Sequence, residues 1–268
     1  MSTAPINVSL LLPAVSLWHR EVIRFVRQRS RVVGALGTPV VFWLLIGSGL
    51  RNSFRPVEAG DAPSAAMNFL EYSFPGTLVL IVLFTAIFST ISIIEDRREG
   101  FLQAVIAAPV RRSAIVLGKV MGSTTLAVGQ AMLFLMVAPF SGLPLTIGSV
   151  LVLTVVLTVL GVGLSALGFL IAWPMDSTQG FHAIMNLVLI PMWLLSGAFF
   201  PASGASTWLA WVMSVNPLTY GVAAVRNALY FGREQATASP SPTVSLTVTI
   251  GFAVVMIVLA GRVAAAKG

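Results

Sequence analysis

Long apolar runs, each broken by a few polar or helix-ending residues, dominate the chain from Val33 onward. A helix needs about 20 such residues to cross the hydrocarbon of a bilayer. Six runs meet that description: about Val33 to Leu50, Ser73 to Ile94, Ala114 to Phe140, Ile147 to Trp173, His182 to Phe200 and Val244 to Val263. Pro39, after Thr38, predicts a kink in the first; Pro191 interrupts the fifth and Pro201 closes it. Arg51 to Glu71, with Pro56, Gly60, Asp61 and Pro63, predicts a loop holding one short helical turn. Ser141 to Pro144 is a tight turn, and Pro174 to Gly180 is a short polar break.

Two segments follow a different pattern. From Ser16 to Arg31 the spacing of Arg20, Arg24, Arg27 and Arg31 puts them on one helical face, with Trp18, Val22, Phe25 and Val26 on the other. A basic face against headgroups and an aromatic face in the acyl boundary predict a helix lying on the membrane surface. A plain basic flank of the first span fits the same residues. Pro201 to Pro242 is too apolar for an ordinary loop: Thr207 to Ser214 forms one short apolar piece. Asn216 then places a capping side chain before Pro217, and Gly232 stands where a second helix, Pro217 to Phe231, would end. The pair predicts helices that dip into the outer leaflet and return, which is tolerated only under a cover of protein or water.

Composition makes lipid the solvent. Of the 268 residues 57% are apolar and 9% charged, against roughly a quarter charged in a soluble domain. The absence of cysteine excludes disulfides and cysteine–zinc sites. The net charge of +7 sits at the rims of apolar runs, without the interleaved aromatics of a nucleic-acid groove, so no nucleic-acid partner is expected. No basic residue precedes Arg20, so no secretory signal peptide is expected. Placing both termini inside puts Arg20, Arg24, Arg27, Arg29, Arg31, Arg97, Arg98, Arg111, Arg112, Lys119, Arg262 and Lys267 on the cytoplasmic side. Only Arg51, Arg55, Arg226 and Arg233 fall outside.

Several chemistries are missing. The expected spans contain essentially no ionisable residue; Asp176 and His182 border a short break, and the other acids lie in tails and loops. A carrier coupled to protons or sodium needs such groups at depth. Two histidines make no metal cluster. Gly163 to Gly168 lacks the second glycine of a nucleophile elbow, where Leu167 stands, and fits packing instead. Gly118-Lys119 is followed by Val120, so there is no P-loop and the chain does not hydrolyse ATP. Gly118 with Gly122, and Gly161 with Ser165, have the small-xxx-small spacing of close helix packing inside one subunit.

The segment from Glu95 to Lys119 carries the functional signal. It opens with Glu95, Asp96, Arg97, Arg98 and Glu99, continues as a short helix with Phe101, Leu102, Val105 and Ile106 in a stripe, and is stopped by Pro109 before Arg111 and Arg112. Apolar anchors flanked by charges suit insertion into a groove on a partner; a generic cytoplasmic hairpin fits equally. This segment closely resembles the cytoplasmic loop of the type-2 ABC exporter permeases, with a charged cluster, a Gly-Phe step, an Ala-Pro end and a Gly-Lys. Ser73-Phe74-Pro75-Gly76, Leu195 to Pro201 and Asn216-Pro217-Leu218-Thr219-Tyr220 match the same family in order.

The resemblance implies an all-α integral membrane protein with six transmembrane helices, an amphipathic interfacial helix and short re-entrant outer helices between spans five and six. The tail and surface helix occupy 1–32 and the membrane domain 33–268, with a coupling loop at about 95–113 and the outer segment at about 201–242. The surface helix maps to Leu17–Arg29 and carries Trp18, Arg20, Arg24, Phe25 and Arg27; the coupling helix maps to about Arg98–Ala108. Arg97, Arg98, Glu99, Phe101, Leu102 and Val105 would meet a cytoplasmic ABC ATPase, with Asp176 as a second contact. Two ATPase copies holding ATP and magnesium, a second permease subunit and the lipid bilayer are the implied partners, in a bacterial cell membrane; this chain itself binds no cofactor. Phe42, Trp43, Phe84 and Phe88 would line a path for a hydrophobic or amphiphilic substrate: a drug, a lipid or a lipid-linked glycan. A membrane scaffold component without transport of its own, or a passive channel, are the alternatives.

Overall fold

A computed structural model describes residues 10–49, 69–143, 145–200, 204–231 and 240–266, and among them the chain is helical without strands. The elements are α1 Leu11–Arg27, α2 Arg29–Gly49, α3 Phe69–Ser89, α4 Ile91–Arg98, α5 Phe101–Ala107, α6 Arg112–Leu135, a 3-10 turn Ala138–Ser141, α7 Ile147–Ala172, α8 Thr178–Leu194, α9 Thr207–Val215, α10 Pro217–Leu229 and α11 Pro242–Ala266. The expected loop from Arg51 to Glu71 lies outside the described residues up to 68, as do Gly232 and Arg233.

Among the described residues four helical stretches are long and apolar enough to cross a membrane: Val32–Gly49, Phe69–Arg98, Ile147–Ala172 and Pro242–Ala266. Thr207–Val215 and Pro217–Leu229, bent by 80° at Asn216, make a fifth if counted as one broken span. Six were expected. Of the remaining two, α6 carries Arg112, Lys119, Ser123, Thr124 and Gln130 along its 24 residues, and α8 has only 17.

Helix α3 is the centre. Together with α4 it forms a 30-residue rod, most of it buried, broken only at Thr90. It packs against α2, α6, α7 and α10, while α11 lies along α7 and α10. The expected end at Ile94 is overrun because α4 finds buried partners for its charges. At the other end of the bundle α8 stops at Leu194, short of the expected Phe200, and the chain turns through Gly197 at φ +78°. A helix end in an apolar setting leaves carbonyls to satisfy. Asn216 Nδ2 donates to the carbonyls of Met192 (2.6 Å) and Leu195 (3.0 Å), and its Oδ1 caps α10 by accepting from the Leu218 N–H. Trp193 Nε1 donates to the Gly76 carbonyl on α3 at 2.9 Å.

The small residues mark contacts inside one subunit, as expected. A Cβ on Gly118 would lie 2.7 Å from the Leu17 Cβ, and one on Gly122 2.7 Å from the Glu21 Cβ, so α1 rests on α6 through these glycines. Gly163 meets Phe252 and Ala253 of α11, and Gly168 meets Thr90, which gives the Gly163 to Gly168 stretch its packing role. The helix expected on the membrane surface thus begins at Leu11 and ends at Arg27, and Arg29 and Arg31 belong to α2.

Replacing Gly118 or Gly122 with Val should lift α1 from α6 and lower the melting temperature in detergent. Gly129→Ala, on the same helix with open space around it, should not lower it. Equal melting of all three variants would refute this close approach.

Candidate coupling site and cavity

Where α1, α4 and α6 converge, seven charged side chains meet. Lys119 of α6 is 2% exposed, Glu21 of α1 4% and Asp96 of α4 0%. The Lys119 ammonium donates to Glu21 Oε1, to Asp96 Oδ2 and to Ser92 Oγ. Arg20 grips Asp96 with both arms, at 3.0 and 2.8 Å, a geometry that gives direction as well as strength. Arg24 adds a third cation to the same carboxylate at 2.8 Å and reaches Glu95 at 3.0 Å and Glu99 at 3.1 Å. Burial works against the charge of Arg20, but the hydrogen bonds and charge of Asp96 outweigh it and hold the guanidinium above its ordinary range.

This corrects two expectations. Arg20 and Arg24 do not turn outward as a basic face; they turn to carboxylates on α4, because an interior acid needs the cations more than solvent does. Nor are all the acids in tails and loops, since Glu21 and Asp96 are buried among helices. Of the other α1 residues, Trp18 is half-buried and donates from Nε1 to Thr125 Oγ1 at 3.0 Å, Phe25 is half-buried, and Arg27 is exposed.

Residues 95 to 99 distribute around the end of α4 as helical geometry dictates. Glu95 and Glu99, four apart, share the Arg24 side. Arg97 turns the other way. It donates to the carbonyls of Trp173 and Met175 (2.9 Å) at the end of α7 and pairs with Asp176 Oδ1 at 3.0 Å. Arg98 donates from Nε to the Asp176 carbonyl at 2.9 Å. The α7–α8 turn and the α4–α5 loop, both expected to touch a partner, are therefore fastened to one another.

Gly100, at φ +78°, makes the left-handed turn from α4 into α5. The coupling helix is shorter than expected, Phe101–Ala107, with Arg98 in α4. Leu102 is 3% exposed and belongs to the core; Phe101 is half-buried with the Arg20 guanidinium 3.8 Å above its ring, and Val105 is half-buried. The stripe expected to anchor a partner thus seats α5 on its own protein. The face left open carries Gln103, Ala104, Ile106 and Ala107.

Between α2, α3 and α8 lies a cavity of about 600 Å³ lined by Phe42, Phe84 and Phe88, three of the four aromatics named for a substrate path, together with Thr85, Ser89 and Trp193. Trp43 is not part of it. It is buried between Phe74 and Phe134 at ring distances of 5.6 and 5.5 Å, with Nε1 donating to the Leu70 carbonyl, because an indole N–H out of water needs an acceptor. His182 stacks on Phe88 at 5.1 Å, and Asp176 is exposed apart from its contact with Arg97.

Removing one partner of a buried pair strands the other. Lys119→Met and Glu21→Gln should each destabilise the protein by about 3–5 kcal/mol, read as a lower melting temperature. The double variant should melt above Lys119→Met. A double variant at the sum of the two losses would show that they do not act as a pair.

Residues 14–230 match the family described as ABC-2 type transporter. The chain is 24% identical over 212 residues to a putative transport permease ycf38 of Cyanophora paradoxa, covering 78% of this chain and 71% of that protein. A protein of the same description from Porphyra purpurea is 24% identical over 213 residues, with 79% and 72% covered. An ABC transporter G family member 20 of Dictyostelium discoideum is 27% identical over 167 residues, 61% of this chain and 23% of that longer protein. With the match running through α1, the coupling loop and the bent α9–α10 pair, this membrane protein belongs to the ABC-2 type transporter family.

Proposed function

We propose that this chain is the permease subunit of an ATP-driven exporter, moving a hydrophobic or amphiphilic substrate out of the cytoplasm or inner leaflet. In this reading α2, α3–α4, α6, α7, α8 and α11 are six spans, α9 and α10 dip into the outer leaflet, and both termini are cytoplasmic in a bacterial cell membrane. Two such subunits, alike or different, sit on two ATPase subunits that hold ATP and magnesium.

The observation that carries the reading is the fastening of the α4–α5 loop. Asp96 ties it to α1 and α6, and Arg97 and Arg98 tie it to the α7–α8 turn. A push on α5 is thereby delivered to α3, α6 and α7 together rather than absorbed by a loose hairpin. ATP can act only through contacts that differ between inward- and outward-facing forms, and a stiff joint makes such differences transmissible. The partner surface in this reading is the open face of α5 around Gln103 and Ile106, with Asp176 alongside; Arg97, Arg98 and Glu99 shape that surface from behind.

Two variants test it with the ATPase co-expressed. Ile106→Asp should lose co-purification of the ATPase by about tenfold while leaving the melting temperature unchanged, since Ile106 is exposed. Reversing Arg97, Arg98 and Glu99 together should retain the ATPase but uncouple hydrolysis from ATP-dependent uptake into inverted vesicles. Full transport by both variants would overturn the docking assignment.

A further inference from the structure

The cavity has a polarity that α3 sets. Running from the α8–α9 end towards α4, this helix presents Leu80, then Phe84 and Thr85, then Phe88 and Ser89. On α8, Ile190 and Trp193 stand at the first end and His182 at the second. One half is therefore aromatic and aliphatic, and the half nearest the charged joint carries hydroxyls beside a row of rings. Phe84 and Phe88 lie 5.4 Å apart, and His182 stacks beyond Phe88.

Both hydroxyl protons are already committed. Thr85 Oγ1 donates to Gln130 Oε1 at 2.5 Å. Ser89 Oγ donates to the Thr85 carbonyl at 2.6 Å. A hydroxyl has one proton and two lone pairs. What remains for a ligand at these two positions is therefore acceptor capacity only. The indole N–H of Trp193 is likewise engaged, on the Gly76 carbonyl. Among the described lining residues there is no lysine, arginine or carboxylate. Spare lone pairs beside π faces, with no fixed cation to repel it, suit a positively charged donor; aromatic faces attract ammonium groups through their quadrupole. An anionic head would meet lone pairs and negative ring faces.

The geometry points to a lipophilic ammonium as the ligand of this cavity: a protonated amine head at Thr85 and Ser89, flanked by Phe84 and Phe88, with its apolar tail towards Leu80, Ile190 and Trp193. This deepens the exporter reading by naming the chemical class of the substrate, and it rests on that reading only for the direction of transport. The Thr85–Gln130 bond acts as a positioning contact, since it turns the threonine proton away from the cavity.

Equilibrium binding to the full chain in nanodiscs of neutral lipid, with empty discs subtracted, tests it without nucleotide. Dodecylamine, dodecyltrimethylammonium and dodecanoate are the probes at neutral pH. Dodecylamine should bind at least about tenfold tighter than dodecanoate, given the strength of hydrogen bonds to charged groups. Ser89→Ala and Thr85→Val should weaken dodecylamine about tenfold yet change the trimethyl compound, which has no N–H to donate, less than about twofold. Thr85→Ser, which keeps the hydroxyl, should restore amine binding even if Thr85→Val folds poorly. Dodecanoate binding as tightly as the amine, losses equal for both cations, or no saturable binding of any probe would each overturn the assignment. Because no ATPase enters the assay, these failures are separate from failure of ATP-driven transport, which the vesicle uptake measurement reads.

Discussion

A fully buried carboxylate has to be neutralised where it stands, and Asp96 is that carboxylate here. Its two oxygens receive Lys119 from α6 and Arg20 and Arg24 from α1, so one side chain fixes three helices relative to each other. Desolvation of the ions consumes much of what their attraction returns, so such a cluster is weak as a source of net stability. It is strong as a constraint. Sliding α1 by a turn along α6 would leave Glu21 and Lys119 buried without each other, a far larger loss than any mispacked methyl group. The glycines at 118 and 122 permit the approach, and the charges choose its register.

Everything expected to meet the outside follows from that joint. Once Asp96 faces α1 and α6, the 100° step of the helix sends Arg97 towards the end of α7, where unpaired carbonyls await a donor. Its guanidinium serves the Trp173 and Met175 carbonyls as a cap that the α7 backbone lacks. Gly100 then reverses direction, and α5 settles with Leu102 inward because Phe101 is held beneath Arg20. The orientation of α5 is thus set by contacts within its own chain.

Hydropathy and punctuation revealed most of the helices. The expected starts at Ile147 and, after Asn216, at Pro217 are reproduced, and α7 and α10 lie within two residues of their expected ends. Periodicity showed that Arg20 and Arg24 share a face, but a face has no label for protein or lipid. The signal for the true orientation was present in two isolated residues. Glu21 is the first acid of the chain, set among arginines, and Lys119 is a lone cation inside a long apolar helix. Each is costly alone and tolerable only with an opposite charge. Which two helices bring them together is long-range information, 98 residues apart, that no window of sequence contains. The same limit separates Phe42 from Trp43: neighbours in sequence, about 100° apart around α2, one facing the cavity and the other the core.

The two ends of the bundle are tied by different kinds of bond, and that difference bears on how it can move. Near α9 and α10 most contacts run from side-chain donors to backbone carbonyls: Trp193 to Gly76, Asn216 to Met192 and Leu195, and Arg226 to Tyr72 and Gly197 at 3.4–3.5 Å, with Tyr230 donating to the Glu71 carboxylate at 3.0 Å. The Arg226 bonds are long, and the Asn216 amide is spread over two carbonyls at the break after α8. At the joint the partners are charges whose separation leaves bare ions in a dry interior. In the proposed exporter reading, strain applied at α5 is released more cheaply at the α8–α9 end than at the joint that receives it. In that reading the joint is the rigid fulcrum and the α8–α9 end is the side that opens.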